Sequence, residues 1–459
     1  MEREDKLTLA ERFSFGIGEL PGAANAIIGA FLMMFYTDNI GMAAGAVGTM
    51  FLISRIFDGI SDLIAGNIVD RTKTKWGKAR PWLLWLGIPI GLSVALLTWV
   101  PENASSTTQM IYAFLTYNLF MSILYTMVNV AKSALMALMT QNPIERAKLA
   151  KYSVLFGLGG SMIGCSVAFP LINALGGDIS AWRGAFAIFG TITSIGVLLS
   201  FALSHEHIKS VEETVGTGVR EKISFWTGLK LFVQNKYFIF TLITNFLINL
   251  SNNLNSGSQT YFYKYAMNNE MLTTSLNLFN LVPMVFSVMF LGEPCIRKWG
   301  KKKSLYIGAT GQILSYAVRG LAAITGNIPL LTFGTVLAGI TLGPIAVSNN
   351  TLPADAVDYG EYLTNKRIEG MGSSVLTCAN KLSTGLAGAM VGWVLSLTGF
   401  VANAVQSAST NNAIAFLFAW GPAILLVLEM ILVKCVYRYD EERPVVMDEL
   451  QKRKEKTAL

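Results

Sequence analysis

RIFDGISDLIAGNIVDRTKTKWGKARP, the stretch from Arg55 to Pro81, joins an apolar run that carries charges to a short loop crowded with bases. In the run, Arg55, Asp58 and Asp62 stand at i, i+3 and i+7. A helix brings all three to nearly one face and lets Arg55 pair with Asp58. Charges in hydrocarbon cost roughly 3 kcal/mol each on insertion scales, so that face must look into protein or water. The loop that follows packs Arg71, Lys73, Lys75, Lys78 and Arg80 ahead of the next apolar run at Pro81, which marks a cytoplasmic connection between two membrane spans.

Composition extends this reading to the whole chain. With 459 residues, 52% hydrophobic, only 14% charged and a mean hydropathy of +0.47, the chain is too apolar to hide its surface in a soluble core. It reads as an all-α, polytopic protein of the lipid bilayer. The net charge of +7 is spread over loops without aromatic readers, so the positive-inside rule explains it and no nucleic-acid partner is expected. Cys165, Cys295, Cys378 and Cys435 show no CxxC spacing and imply neither disulfide nor zinc. The opening MEREDKLTLAER is too charged for a signal peptide, so a retained, cytoplasmic N-terminus is expected.

Apolar runs near 13–36, 45–69, 81–101, 109–139, 152–175 and 182–204 predict six spans, and runs near 237–265, 272–294, 304–325, 328–352, 371–397 and 412–437 predict six more. The basic loops alternate, which places both termini inside the cell, in a plasma (inner) membrane. Asn245, Asn249, Asn252, Asn253 and Asn255 make the seventh span polar enough to line a wet cavity. Residues 223–235 read either as an interfacial helix or as an ordinary linker helix. Lys75-Trp76-Gly77-Lys78 after the second span recurs as Lys298-Trp299-Gly300-Lys301 after the eighth. The expected organisation is a six-helix half over 1–204, a central loop over 205–236, a second half over 237–437 and a cytoplasmic tail over 438–459. Parallel six-span repeats are the plan of major facilitator transporters, with substrate near the midplane between the halves.

At about 1.5 Å per residue, Asp58, Asn129, Lys132 and Lys381 converge on one depth, as polar groups around a cavity do. The competing account makes Arg55 and Asp58 a helix-locking pair and lets Lys132 snorkel to the interface. Arg319, Glu293 and Glu429 invite interface snorkelling or tertiary pairing. Asp355, Asp358 and Glu361, with Arg367 nearby and Asp70 and Arg71 on the earlier loop, are candidates for a cytoplasmic salt-bridge gate between the halves.

DGISDLIAGNIVDRTKTKWGKARPWLL, YTDNIGMAAGAVGTMFL and ADAVDYGEYLTNKRIEG followed by Lys381 resemble the glycoside-pentoside-hexuronide:cation symporters, the family of melibiose permease, over essentially the whole chain. The resemblance implies a major facilitator fold and uptake of a sugar, glycoside or hexuronide driven by a monovalent cation, H⁺ or Na⁺. It implies that Asp58, Asp62, Thr126 and Asn129 form the cation site. Arg55 would support them, and Lys381 would link cation to sugar.

Several positions depart from melibiose permease. Asn129 stands where that carrier has an aspartate, which favours protons over sodium. Its tryptophan near Ser133 is missing, and Glu19 falls a turn before its first-span acid. Val128-Asn129-Val130 and Glu361-Tyr362-Leu363-Thr364 are closer to the family's glucuronide carriers. With acids lost and Lys132 gained, an unpaired lysine favours an anionic hexuronide. Asn129 would bond hydroxyls, Lys132 or Lys381 would meet the carboxylate, and Tyr125 or Trp393 would stack. Glu19 and Asn25 complete the candidate substrate site. A major facilitator relative moving a lipid or drug-like molecule is the alternative. An enzyme or ATP-driven pump is disfavoured, because His205 and His207 are the only histidines and no glycine-rich phosphate loop is present.

Overall fold

A backbone in hydrocarbon must satisfy its own polar groups, and helices do this within one segment. A computed structural model describes residues 7–140, 142–207, 234–364 and 369–458, and among them the protein is helical throughout apart from turns and a single isolated bridge. The helices are α1 (Leu9–Asn39), α2 (Ala44–Arg71), α3 (Arg80–Leu96), α4 (Ser106–Met139), α5 (Pro143–Ala174), α6 (Ile179–Leu203), α7 (Lys236–Tyr261), α8 (Leu272–Phe286), α9 (Gly292–Thr325), α10 (Ile328–Thr364), α11 (Glu369–Leu397), α12 (Ala408–Val436) and α13 (Tyr439–Ala458). Seven stretches among the described residues are long and apolar enough to cross a bilayer on their own. One of them, the 54-residue Leu272–Thr325, holds two of the expected spans, which part at Gly300. Helices α2 and α7 are continuous, but charges lower the hydropathy of the first and asparagines that of the second, and α3 has only 17 residues. The amphipathic segment expected over 223–235 lies almost wholly outside the described residues.

The chain divides into two compact units. Unit 1 comprises Met1–Val219, Asn269–Leu278 and Val391–Gln406, and unit 2 comprises Arg220–Asn268, Phe279–Met390 and Ser407–Leu459. The repeated Lys-Trp-Gly-Lys loops are built alike. In unit 1, Gly77 sits at φ +107°, a left-handed region that disfavours side chains. Glu206, just past α6, accepts from the backbone N–H groups of Lys78, Ala79 and Arg80 at 3.0, 2.8 and 2.9 Å. In unit 2, Gly300 sits at φ +78°, and Asp440, just past α12, accepts from the Lys302 N–H at 3.0 Å. An acid following the last span of each expected half thus satisfies free N–H donors of the repeated loop.

Two irregularities position the site. Helix α1 breaks at Gly18 and Glu19, because Pro21 lacks the N–H that would bond the Ile17 carbonyl. A Cβ on Gly18 would crowd Ser200 and the stem of Lys132, so glycine permits that approach. Helix α4 widens to a π-helix over Leu119–Tyr125, a feature that re-aims side chains and is frequent at functional sites.

Candidate functional site

In unit 1, polar side chains gather in two neighbouring groups. The first is built on α2 and α4. Asp58, 2% exposed, accepts from Arg55 Nη1 at 2.8 Å on Oδ2 and from Ser122 Oγ at 2.5 Å on Oδ1. Arg55 Nη2 donates to the Tyr117 hydroxyl at 2.9 Å. Asn118 donates to Ser54 Oγ at 2.9 Å and receives the alternative Ser122 bond at 3.1 Å. The i, i+3 pairing read from the sequence therefore forms. Asp62 lies half-buried one turn further along. Thr126 is buried, and its hydroxyl donates to the Met121 carbonyl at 3.2 Å across the π-turn.

The second group joins α1, α4 and α5. Lys132 Nζ lies 2.7 Å from Glu19 Oε1, with side-chain exposures of 5% and 26%. The approach is a close ion pair rather than an aligned hydrogen bond, since the ammonium has no partner in bonding geometry among the described residues. Ser153 Oγ also donates to Glu19, and the Phe15 ring lies 5.0 Å from Lys132 Nζ. The Tyr125 hydroxyl and Glu19 Oε2 both come within 4 Å of where a Cβ on Gly22 would stand, and Asn129 follows Tyr125 by one turn on α4. Tyr125 and Asn129 therefore belong with this second group.

These contacts bear on three expectations. Lys132 is neither unpaired nor snorkelling, because the break in α1 turns Glu19 inward to meet it. The charge surplus that favoured an anionic substrate is thereby removed. Trp393 donates its ring N–H to Thr49 Oγ1 at 3.0 Å, a bond in the ring plane that ties its edge to α2 and leaves its faces open. Asp355 is held inside unit 2 by Lys301 at 2.6 Å and by the Tyr437 hydroxyl at 3.2 Å. That is a brace within one unit rather than the gate between halves expected of it. Arg71 is exposed at the end of α2, and Asp358 and Glu361 are half-buried on α10. Arg367 and the Asp70 side chain lie outside what is described.

Among the remaining charges, Glu293 pairs with Arg297 at 2.6 Å on the surface. Arg319 lies over Tyr316 and Phe418 and bonds Asn255 at 3.3 Å. Glu429 is fully buried with neither oxygen bonded among the described residues.

Sequence reasoning missed Tyr117, Asn118, Ser122 and Ser153. Three of them carried a signal. Asn118, Ser122, Tyr125, Asn129 and Lys132 recur every three or four residues and form a polar stripe down α4. Tyr117 adjoins that stripe. Ser153 carried none, because its role depends on the packing of α5 against the break in α1.

In unit 2, the asparagines of α7 do line a cavity, of about 230 Å³, together with residues of α10 and α11. Asn253 and Asn255 are committed elsewhere, to Ser383 and Thr384 of α11 and to the Phe418 carbonyl. Lys381 is half-buried beside Asn380, which lines this cavity.

The family described as MFS/sugar transport protein matches residues 14–441. The isoprimeverose transporter of Lactiplantibacillus pentosus is 29% identical over 456 residues, covering 98% of this chain and 93% of its own. The glucuronide carrier protein homolog of Escherichia coli K12 is 28% identical over 447 residues, covering 97% and 94%. Among solved structures, the D-xylose-proton symporter superposes with a TM-score of 0.63 at 16% identity, covering 94% of this chain and 97% of that one. At that identity the likeness concerns the major facilitator fold.

Proposed function

Since the chain belongs to the MFS/sugar transport protein family, and is thus a multi-pass membrane transporter rather than an enzyme, we propose that it couples a monovalent cation to uptake of a neutral glycoside or pentoside. The Glu19 and Lys132 ion pair carries this reading. A balanced pair flanked by Asn25, Tyr125 and Asn129 offers donors and acceptors to sugar hydroxyls without an excess charge for a carboxylate. The name of the isoprimeverose transporter supports a neutral substrate, and that of the glucuronide carrier homolog keeps a hexuronide as the second reading.

Arg55, Asp58 and Asp62 form the proposed coupling site, with protons as the coupling ion. Asp58 accepts from Arg55 and Ser122, and Asn129 adds no further carboxylate to the site, which supports protons over sodium. The six-plus-six arrangement is supported by the matched capping of the two repeated loops. The same basic loops support cytoplasmic termini.

Counterflow into proteoliposomes tests the proposal, with neutral glycosides and pentosides set against the corresponding uronides and with H⁺, Na⁺ and Li⁺ supplied in turn. Neutral sugars should exchange and compete, and a proton gradient should suffice. Competition by uronides alone would favour the second reading, and a sodium requirement at fixed pH would reassign the ion.

A further inference from the structure

Resting on the reading of this chain as a carrier of neutral glycosides, we infer that the asparagine-lined cavity of unit 2 is a subsite for an uncharged sugar ring. Asn245, Asn249 and Asn252 stand at i, i+4 and i+7 on α7 and face Asn349 and Asn350 of α10 and Asn380 of α11. Six carboxamides from three helices thus converge, and no charged residue is among the described residues that line the cavity.

The floor is preorganised. Asn349 Nδ2 donates to Asn245 Oδ1 at 2.8 Å, while Asn249 and Asn245 turn their amides onto backbone carbonyls of α7 at 2.8 and 3.0 Å. Asn349 is 6% exposed, and its Oδ1 has no partner among the described residues. A buried acceptor left in that state calls for a hydroxyl donor. Asn252, Asn350 and Asn380 are exposed at the rim. Each carboxamide there carries a donor and an acceptor side by side, which matches the vicinal hydroxyls of a sugar.

Ile248, Leu342 and Ile345 supply an apolar wall for the C–H face of a ring. The volume of about 230 Å³ equals seven or so waters at roughly 30 Å³ each, space for one ring and its hydroxyls rather than for a lipid chain. A lining whose polar groups are carboxamides also discriminates by charge, since it offers no countercharge to a carboxylate.

Binding to the purified, full-length transporter tests the assignment. The probes are the disaccharide isoprimeverose and its component monosaccharides, xylose and glucose. The wild type should bind the disaccharide at least ten-fold more tightly than either monosaccharide. Asn349→Leu, and separately the rim variant Asn252→Leu/Asn350→Leu, should weaken the disaccharide at least ten-fold while leaving the better-bound monosaccharide within two-fold. Retained monosaccharide binding also shows that each variant is folded. Undiminished disaccharide binding in both variants would overturn the subsite, as would an equal loss for all three sugars in the exposed rim variant. If the wild type bound none of the three, the neutral-glycoside reading would fail along with it. Disaccharide binding without sensitivity to the asparagines would remove only the present inference.

Discussion

Lys132 Nζ lies 2.7 Å from Glu19 Oε1, an ion pair between a regular turn of α4 and the break in α1. The partners stand 113 positions apart in the sequence, so no local pattern announces them. Removing either charge strands the other in a site with little water. Glu19→Gln and Lys132→Gln should each lower stability by about 2–4 kcal/mol, somewhat below the figure for a sealed pair because part of Glu19 stays wet. The double variant Glu19→Gln/Lys132→Gln should recover most of the loss. Thermal unfolding of the four proteins in one detergent checks this, and additive losses would contradict the pairing.

Asp58 is the acceptor for Arg55 and Ser122. Asp58→Asn keeps the shape and removes the charge, leaving Arg55 to Tyr117. Uphill accumulation should fall at least ten-fold while counterflow exchange of the same sugar persists, because coupling is lost before sugar recognition. Asp62→Asn should behave similarly. Full accumulation in both variants would place the coupling site elsewhere.

Glu206 caps three backbone N–H groups of the first repeated loop, whereas Asp440 receives one from the second. Glu206→Ala should therefore cost about 1–2 kcal/mol and Asp440→Ala about 1 kcal/mol or less. Gly77→Ala adds the left-handed penalty of about 1–2 kcal/mol and crowds Glu206. Denaturation midpoints of the three variants give the order, with Asp440→Ala the mildest.

Glu145, near the start of α5, accepts from Arg12 at 2.9 Å and from Lys148 at 2.8 Å. Burial pushes this carboxyl up, but the Lys148 bond and the field of Arg12 outweigh it and hold the group below its ordinary value. The folded state therefore releases the proton more readily than the unfolded chain. The resulting stability is fully present above the unfolded pKa, about 4.3 for glutamate, and disappears as the pH falls through the folded value. The gap in melting temperature between wild type and Glu145→Gln should be largest near neutrality and close under acid. A gap independent of pH would point to packing instead.

Much of this protein was legible in the order of its residues. Span length, hydropathy and the placement of Arg71 to Arg80 reflect the thickness and charge preference of a bilayer, and these act on each segment separately. The Arg55 and Asp58 pair was legible for the same reason, since residues three apart on one helix meet whatever surrounds them. The Lys-Trp-Gly-Lys repeat was visible too, but its capping acids, Glu206 and Asp440, were not.

What only the tertiary structure decided was pairing between helices. Lys132 meets Glu19 because Pro21 breaks α1 and Gly18 leaves room for the lysine stem. Ser122 reaches Asp58 because a π-turn re-aims one stretch of α4. Asn349 finds Asn245 because α7 and α10 pack side by side. Each of these depends on the rotation of one helix about its axis relative to a neighbour. Hydropathy sets that rotation only coarsely, whereas a single proline, glycine or inserted residue can change which polar atoms face each other.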